Sequence, residues 1–311
     1  MTAPDREPQL VDRFEDERLR LVAVGYRLTG SFADAEDAVQ EAWLRLDGAD
    51  AGEIRDLRAW LTTVVSRLCL DRLKSAAKRR ENYVGQWLPE PLVTAYDAPV
   101  GDPLEALLRD EDNRFAALVV LDTLTPHQRV SFVLHDGFDM PYEEIASILA
   151  IEPATARQHA SRARKAASES PAPVSDAEHE AAVGKFMAAM ASGDISAIVA
   201  TLHPDALVMG DANGTTSTAV NVIHGAEKFA RFVLGLMNRY GDEALASMRP
   251  VRVTGQLGMA TYGWEGPTRK QSSPARISGF TVRDGLVYAT YDLANPEKFS
   301  GVRLPDWPVR P

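Results

Sequence analysis

Residues 141–167 constrain this chain more than any other stretch, because their pattern demands two helices with a tight turn between them. Ile145, Ile148 and Leu149 stand at the three- and four-residue spacings of an amphipathic stripe, and Pro153 suits a turn or the first position of a following helix. From Ala154 to Ala167 there are four Arg or Lys and no Asp or Glu, interleaved with alanines that keep the second helix slim. Such a helix fits a DNA major groove roughly 12 Å wide. Arg157, Gln158, Ser161 and Arg162 fall within about two turns, where Arg pairs with guanine and Gln with adenine through two hydrogen bonds each. Arg164 and Lys165 follow as phosphate contacts. A basic helix on a solvated surface is the alternative; the amphipathic helix and turn before it favour the DNA reader.

The rest of the composition has to accommodate that element. A length of 311 residues suggests two domains or slightly more, and 45% hydrophobic with 25% charged residues is ordinary for a soluble globular chain. No run approaches the roughly 20 apolar residues of a membrane span. Met1 to Gln9 is polar, without the apolar centre of a signal peptide, and the one cysteine, Cys69, forms no internal disulfide, so a cytoplasmic location is expected. A net charge of −10 disfavours a free-standing DNA binder, whose affinity rests on phosphate neutralisation. The charge is unevenly placed, however. Arg55 to Arg80 holds eight basic residues against two acidic ones, and Gly85 to Asp112 holds one basic residue against seven acidic ones. Two basic elements separated by an acidic connector bind DNA weakly alone and better when a larger partner adds phosphate contacts.

Breakers divide the chain into three parts. Leu10 to Leu46 reads as helical, with Leu19, Val22 and Tyr26 on one stripe and a break at Thr29-Gly30-Ser31. A second helix runs from Leu57 to about Arg80 on Leu57, Leu61, Val64, Val65, Leu68 and Leu73. Prolines at 89, 91, 99 and 103 exclude a long helix between Asn82 and Pro103, and Ser168 to Ser175 forms a second linker. Beyond it, Glu178 to Leu202 reads as two helices divided at Ser192-Gly193-Asp194. Ala206 to Met209, Val251 to Thr254, Gly258 to Gly263, Ile277 to Arg283 and Leu286 to Asp292 alternate like strands, with a hairpin turn at Asp284-Gly285. The division expected is therefore residues 1–81, a linker 82–103, residues 104–168, a linker 169–175 and residues 176–311. Two all-α domains precede an α+β domain with one curved antiparallel sheet.

Three motifs carry a family resemblance. Asp34-Ala-Glu-Asp-Ala-Val-Gln-Glu-Ala-Trp-Leu44, Arg58-Ala-Trp-Leu-Thr-Thr-Val-Val-Ser-Arg-Leu-Cys-Leu-Asp-Arg-Leu-Lys-Ser75 and Trp87-Leu-Pro-Glu-Pro91 together resemble extracytoplasmic-function sigma factors, in the subgroup with a SnoaL-like C-terminal extension. The resemblance implies a region 2 helical bundle, a region 4 helix-turn-helix and an α+β cone of the SnoaL/NTF2 type. It implies that Asp37, Gln40, Glu41 and Leu44, on one helical face, dock on the clamp helices of core RNA polymerase, with the flap as a further contact. Arg67, Arg72, Lys74, Lys78, Arg79 and Arg80 are the expected −10 residues, holding a displaced strand while a base is flipped. Arg67 stands where many members carry Asn. Arg157, Gln158, Ser161, Arg162, Arg164 and Lys165 are the expected −35 residues. Trp60 and Cys69 are read as core.

The same resemblance implies an interdomain contact between Trp87, Leu88, Pro89, Glu90, Pro91 and Asn295, Pro296, Glu297, Lys298, Phe299. Gly210-Asp-Ala-Asn-Gly-Thr215 occupies the place of an Asp-Gly-Gly-Gly-Lys motif, with Thr215 in place of the lysine; Asp211 and Gly214 are read there as turn formers. The sequence shows no metal-ligand spacing, phosphate loop or nucleophilic triad, so no cofactor, no metal and no catalytic residue is expected. The expected activity is that of a sigma factor for specific promoters, regulated in cis by its third domain, with promoter DNA and core polymerase as partners, a small ligand in the cone and no membrane. Two rivals stay open. One is a one-component DNA-binding regulator that senses a ligand. The other is a sigma-like protein with a catalytic cone lined by His203, Asp205, Asp211, Tyr262, Trp264, Tyr291 and Asp292; His203-Pro204-Asp205 also reads as a capping turn.

Overall fold

A computed structural model describes residues 6–50, 52–80, 83–98, 114–168, 171–241, 246–266, 268 and 272–308, excluding the side chains of residues 6–9, 77–80 and Trp264. The chain forms two compact units. One contains the helices of residues 1–81 and 117–169; the other contains residues 170–311 together with the connector segment 82–100 and residues 114–116.

In the helical unit, α1 (Arg6–Thr29), α2 (Phe32–Asp47) and α3 (Leu57–Arg80) pack on one another. The Ser31 hydroxyl accepts from the Asp34 amide and opens α2, so the Thr29-Gly30-Ser31 break is a helix cap. Leu21, Val22, Val24, Tyr26 and Leu28 of α1 are buried, whereas Leu19 is 47% exposed and lies off the core stripe. Leu57, Leu61, Val65, Leu68 and Leu73 of α3 are buried as expected. Val64 and Trp60 are only half-buried, so Trp60 sits at the core's margin. Cys69 is fully buried, and burial pushes its thiol up to about 12.

Four further helices follow: α4 (Phe115–Leu121), which enters this unit at Ala117, then α5 (Pro126–Phe138), α6 (Tyr142–Leu149) and α7 (Pro153–Ala167). A capping box between Thr125 and Gln128 starts α5, and Pro153 occupies the first turn of α7. The turn between α6 and α7 opens with Ala150 in a left-handed conformation, φ 55°. The two groups of helices meet through Arg129 of α5. This side chain is 1% exposed, is paired with Asp122, and donates from Nε to the carbonyl of Arg27 at 3.0 Å.

The second unit is a sheet covered by helices. Strands β1 (Val93–Ala95), β2 (Leu202–Asp211), β3 (Ile223–His224), β4 (Met248–Val253), β5 (Gln256–Trp264), β6 (Ser273–Arg283), β7 (Leu286–Leu293) and β8 (Val302–Arg303) form one sheet. Their order is β3-β2-β7-β6-β5-β4-β1-β8, mostly antiparallel, with β2–β7 and β1–β8 parallel. Asp284 and Gly285, both with positive φ, make the tight β6–β7 hairpin. Helices α8 (Asp176–Ser192), α9 (Ile195–Ala200) and α10 (Ala226–Tyr240) cover one face, where Val183, Phe186, Ile198, Val208, Phe229 and Phe280 form the core. Helix α10 has no counterpart in the sequence reading, although Phe229, Val233, Leu236 and Tyr240 keep helical spacing.

Strand β1 comes from the connector. It lies inside the sheet, antiparallel to β4 through Val93↔Val253 and parallel to β8 through Val93↔Val302. Around it the Thr254 amide donates to the Leu92 carbonyl at 2.6 Å, and the Val93 amide donates to the Gly301 carbonyl at 3.0 Å.

Candidate nucleic-acid interface and linker clasp

The α7 surface follows directly from helical periodicity. Ala156, Ala160 and Ala163 are buried at spacings of four and three residues, and this turns Arg157, Gln158, Ser161, Arg162, Arg164 and Lys165 outward. All six expected −35 residues therefore share the exposed side of one helix. Two of the cations are already oriented. Arg164 donates to Asp136 at 2.5 Å and to the Tyr142 hydroxyl at 2.9 Å, which raises its pKa, and the Arg157 guanidinium lies over the Tyr142 ring at 5.1 Å.

The expected −10 residues on α3 are less uniform. Arg67 and Lys74 are exposed, but Arg67 donates to the Ser147 carbonyl of α6 at 3.4 Å, and Arg72 turns inward to Asp34 at 3.7 Å. The Lys78, Arg79 and Arg80 side chains lie outside the described residues. On α2, Asp37, Gln40 and Leu44 are exposed and Glu41 is half-buried beside Arg45 at 2.7 Å. Leu44 is 64% exposed, an apolar group placed among acidic and amide ones. A groove lined by Val11, Phe14 and Val22 of α1 and by Asp37, Gln40 and Trp43 of α2 runs beside it.

In the sheet unit, the connector and the C-terminal motif meet around Asp211, which is fully buried. Lys298 Nζ, also buried, pairs with Asp211 Oδ2 at 2.5 Å and donates to the Leu88 carbonyl. Its charge lies 3.6 Å from the Trp87 ring centre, a cation–π contact in a dry setting. The Leu88 amide donates to Asp211 Oδ2 at 2.7 Å and the Tyr83 hydroxyl donates to Asp211 Oδ1. Burial, with the Asp211 carboxylate beside it, pushes the Tyr83 phenol well above its ordinary value. Asn295 donates to Tyr83 at 2.9 Å, and Ser300 donates to Glu90 at 2.7 Å. Leu88, Pro89 and Pro91 are buried. Pro296 and Glu297 face outward, and Phe299 packs its ring edge-on against Trp307.

Asp211 is therefore the anion at the centre of this contact and not merely a turn former. The turn lies beyond it, at Asn213 and Gly214, both with positive φ. Tyr83 and Asp211 had no place in the sequence-based contact set. The substitution of Thr215 for lysine leaves the contact its cation, because Lys298 supplies it.

The sheet has a second buried pair. Arg276 of β6 and Asp292 of β7, with side chains 8% and 9% exposed, face a cavity of about 120 Å³ beneath α10. Thr218 donates to Asp292 at 2.7 Å, and a Cβ on Gly210 would stand 2.1 Å from that same Thr218 hydroxyl, so glycine is required there. Of the expected cone residues whose side chains are described, only Asp292 lines this cavity. Tyr291 and Tyr262 point from the opposite face, to Phe115 and Trp307, and Asp211 serves the clasp. His203 meets Tyr288 edge-on and accepts from the Asp205 amide; the Trp264 side chain lies outside the described residues. Among the described residues, no group of three or more His, Cys, Asp or Glu could hold a metal, and no helix is long and apolar enough to cross a membrane.

Comparison with known proteins places this architecture. Sigma-70 region 2 matches residues 13–79, sigma-70 region 4 matches residues 114–166 and a SnoaL-like domain matches residues 183–290. The fold and the exposed recognition helix thus define a sigma-70-type promoter-recognition protein. The chain is 52% identical to the ECF RNA polymerase sigma factor SigJ of Mycobacterium tuberculosis over 97% of its own length and 96% of that protein's. It is 36% identical to a probable ECF sigma factor, SigI, of the same species, over 70% and 73%. The crystal structure of M. tuberculosis SigJ superposes with a TM-score of 0.81 at 50% identity, covering 94% of this chain and 99% of that one. This chain belongs to the extracytoplasmic-function sigma factors that carry a C-terminal SnoaL-like domain, of the SigJ type. Its partners in that capacity are core RNA polymerase and promoter DNA.

Proposed function

We propose that Asp37, Gln40, Glu41 and Leu44 dock on the polymerase clamp helices and that the second helical region meets the flap. In this reading, Arg67, Arg72, Lys74 and Lys78 to Arg80 open the −10 element, and the exposed side of α7 reads the −35 element. The working parts are residues 1–81 and 104–168, joined by the connector 82–103, with residues 176–311 as a regulator in cis through which a small ligand acts in the cone.

The observation that carries the regulatory reading is the capture of the connector. Strand β1 is an inner strand of the C-terminal sheet, and Lys298 and Asp211 are buried against the residues before it. A connector so held cannot also lengthen freely between the two DNA-reading regions. Those regions have to separate to act together. The −35 and −10 elements lie about 25 base pairs apart, or roughly 85 Å at 3.4 Å per base pair, whereas Arg67 of α3 here touches Ser147 of α6.

The test is start-site-specific transcription reconstituted with core polymerase, comparing the full chain, a chain ending near Asp176, and Lys298→Met. Output should change several-fold in both variants at equal protein level. Unchanged output rejects regulation in cis, and failure of every form to associate with core polymerase rejects the docking assignments.

A further inference from the structure

The cavity beneath α10 has the chemistry of a binding site. Strand alternation brings Arg276 and Ser278 of β6, Thr290 and Asp292 of β7 and Thr261 of β5 onto one face, in register through Ser278↔Asp292 and Thr261↔Arg276. The opposing wall is apolar and soft, with Met187 and Met190 of α8 and Met237 of α10 among its residues. Thioether side chains adapt to irregular shapes. The volume of about 120 Å³ is comparable with the roughly 150 Å³ engineered cavity that takes benzene, so there is room for about one ring.

The polar side of this cavity is incompletely satisfied. Arg276 Nη1 donates to Asp292, and Nη2 donates to the Ser217 carbonyl at 2.5 Å and to the Tyr240 hydroxyl at 3.1 Å. Among the described residues, Arg276 Nε and Thr290 Oγ1 are buried with no hydrogen-bond partner. Both side chains are more than nine-tenths buried. Buried polar groups are rarely left in that state, and each exception calls for an explanation such as a water, an ion or a functional partner. The charges of Arg276 and Asp292 cancel, and no other described lining residue is ionic at neutral pH. A neutral molecule is therefore favoured over an ion. An Nε–H donates only, and a threonine hydroxyl can donate beside it, so the matching group is an acceptor oxygen.

We propose that this cavity binds a neutral carbonyl compound of about one ring, its oxygen accepting from Arg276 Nε and Thr290 Oγ1 and its hydrocarbon body lying on the methionine-bearing wall. The proposal rests on the reading of the cone as a ligand site and supplies the ligand's chemical class. Calorimetric titration of the full-length protein with acetophenone, ethylbenzene and benzoate tests it without any transcription readout. Acetophenone should bind about fivefold or more tightly than ethylbenzene, which lacks the oxygen, and tighter than benzoate, which carries a charge. Thr290→Val should weaken acetophenone about fivefold and leave ethylbenzene unchanged. Val208→Phe, which fills the cavity, should abolish binding of both; Met190→Phe serves the same purpose if the first variant fails to fold. Equal binding of acetophenone and ethylbenzene, or a Thr290→Val variant with undiminished preference, overturns the carbonyl assignment while leaving an apolar cone site. Preferential binding of benzoate overturns the neutral class. Failure of all three to bind overturns the proposal and the ligand reading together, without touching regulation through the connector.

Discussion

The two buried ion pairs of the C-terminal sheet sit almost side by side and differ in completeness. Asp211 ends β2 and Asp292 lies on β7, where Gly210↔Asp292 and Asp211↔Leu293 are successive register pairs, so the two carboxylates leave opposite faces. Around Asp211 the acceptors are met by Lys298, the Leu88 amide and Tyr83. Around Asp292 the network includes an orphaned guanidinium nitrogen, with the orphaned Thr290 hydroxyl on the same strand face. A network with its groups satisfied fixes one arrangement, whereas one with groups left over carries an unmet cost. The first is a fastener, and the second has donors to spare.

The largest break in this contrast should come from Lys298→Met. It leaves Asp211 buried without its cation and should cost about 3–5 kcal/mol of stability. The loss is read from the denaturant midpoint by tryptophan fluorescence and far-ultraviolet circular dichroism. Adding Asp211→Leu removes the stranded charge but orphans the Leu88 amide and the Tyr83 hydroxyl, so it should recover only part of the loss. A single-variant loss below about 1 kcal/mol would mean the pair behaves as an exposed one. Thr290→Val should do the opposite. Removing a hydroxyl that has no partner should leave stability within about 1 kcal/mol of the parent or raise it, and a loss beyond about 2 kcal/mol would show that the hydroxyl is bonded after all.

The smallest effect concerns pH. Buried His179 donates from Nε2 to the Phe280 carbonyl at 3.1 Å, and its pKa is lowered from 6.5, chiefly by burial. Between that lowered value and 6.5 the unfolded chain binds the proton more readily than the folded one. Stability should therefore fall as pH drops through this window, and the histidine's neutral form contributes fully only above it. Arg114, Asp176 and Glu180 act on the same imidazole more weakly. His179→Gln should flatten the slope of melting temperature between about pH 5 and 7; an unchanged slope assigns the pH dependence elsewhere.

The helical unit was largely legible because a 3.6-residue period declares which side chains turn out. Ala156, Ala160 and Ala163 predict the exposure of Arg157 and Arg162 without any tertiary information. The strand region was harder, because a one-residue change reverses the face. Tyr291 and Asp292 were assigned together to one cavity, and the pleat sends them to opposite sides. The connector strand left almost no local trace. Val93-Thr94-Ala95 is three residues long, and its partners lie in β4 and β8, so nothing near it in sequence announces a strand. The centre of the clasp was misread for a related reason. An aspartate before Asn and Gly signals a turn, and only the arrival of Lys298 converts it into a buried anion.

The inner position of β1 also imposes an order on biosynthesis. Both helical regions have been made by Ala167, yet Val93 to Ala95 must wait for Met248 to Val253, some 150 residues downstream, and then for Val302 and Arg303. At about 5–20 residues per second that interval is roughly 8–30 s. A ribosome-bound chain thus passes through a window in which both helical regions exist and strand β1 has not yet found its partners.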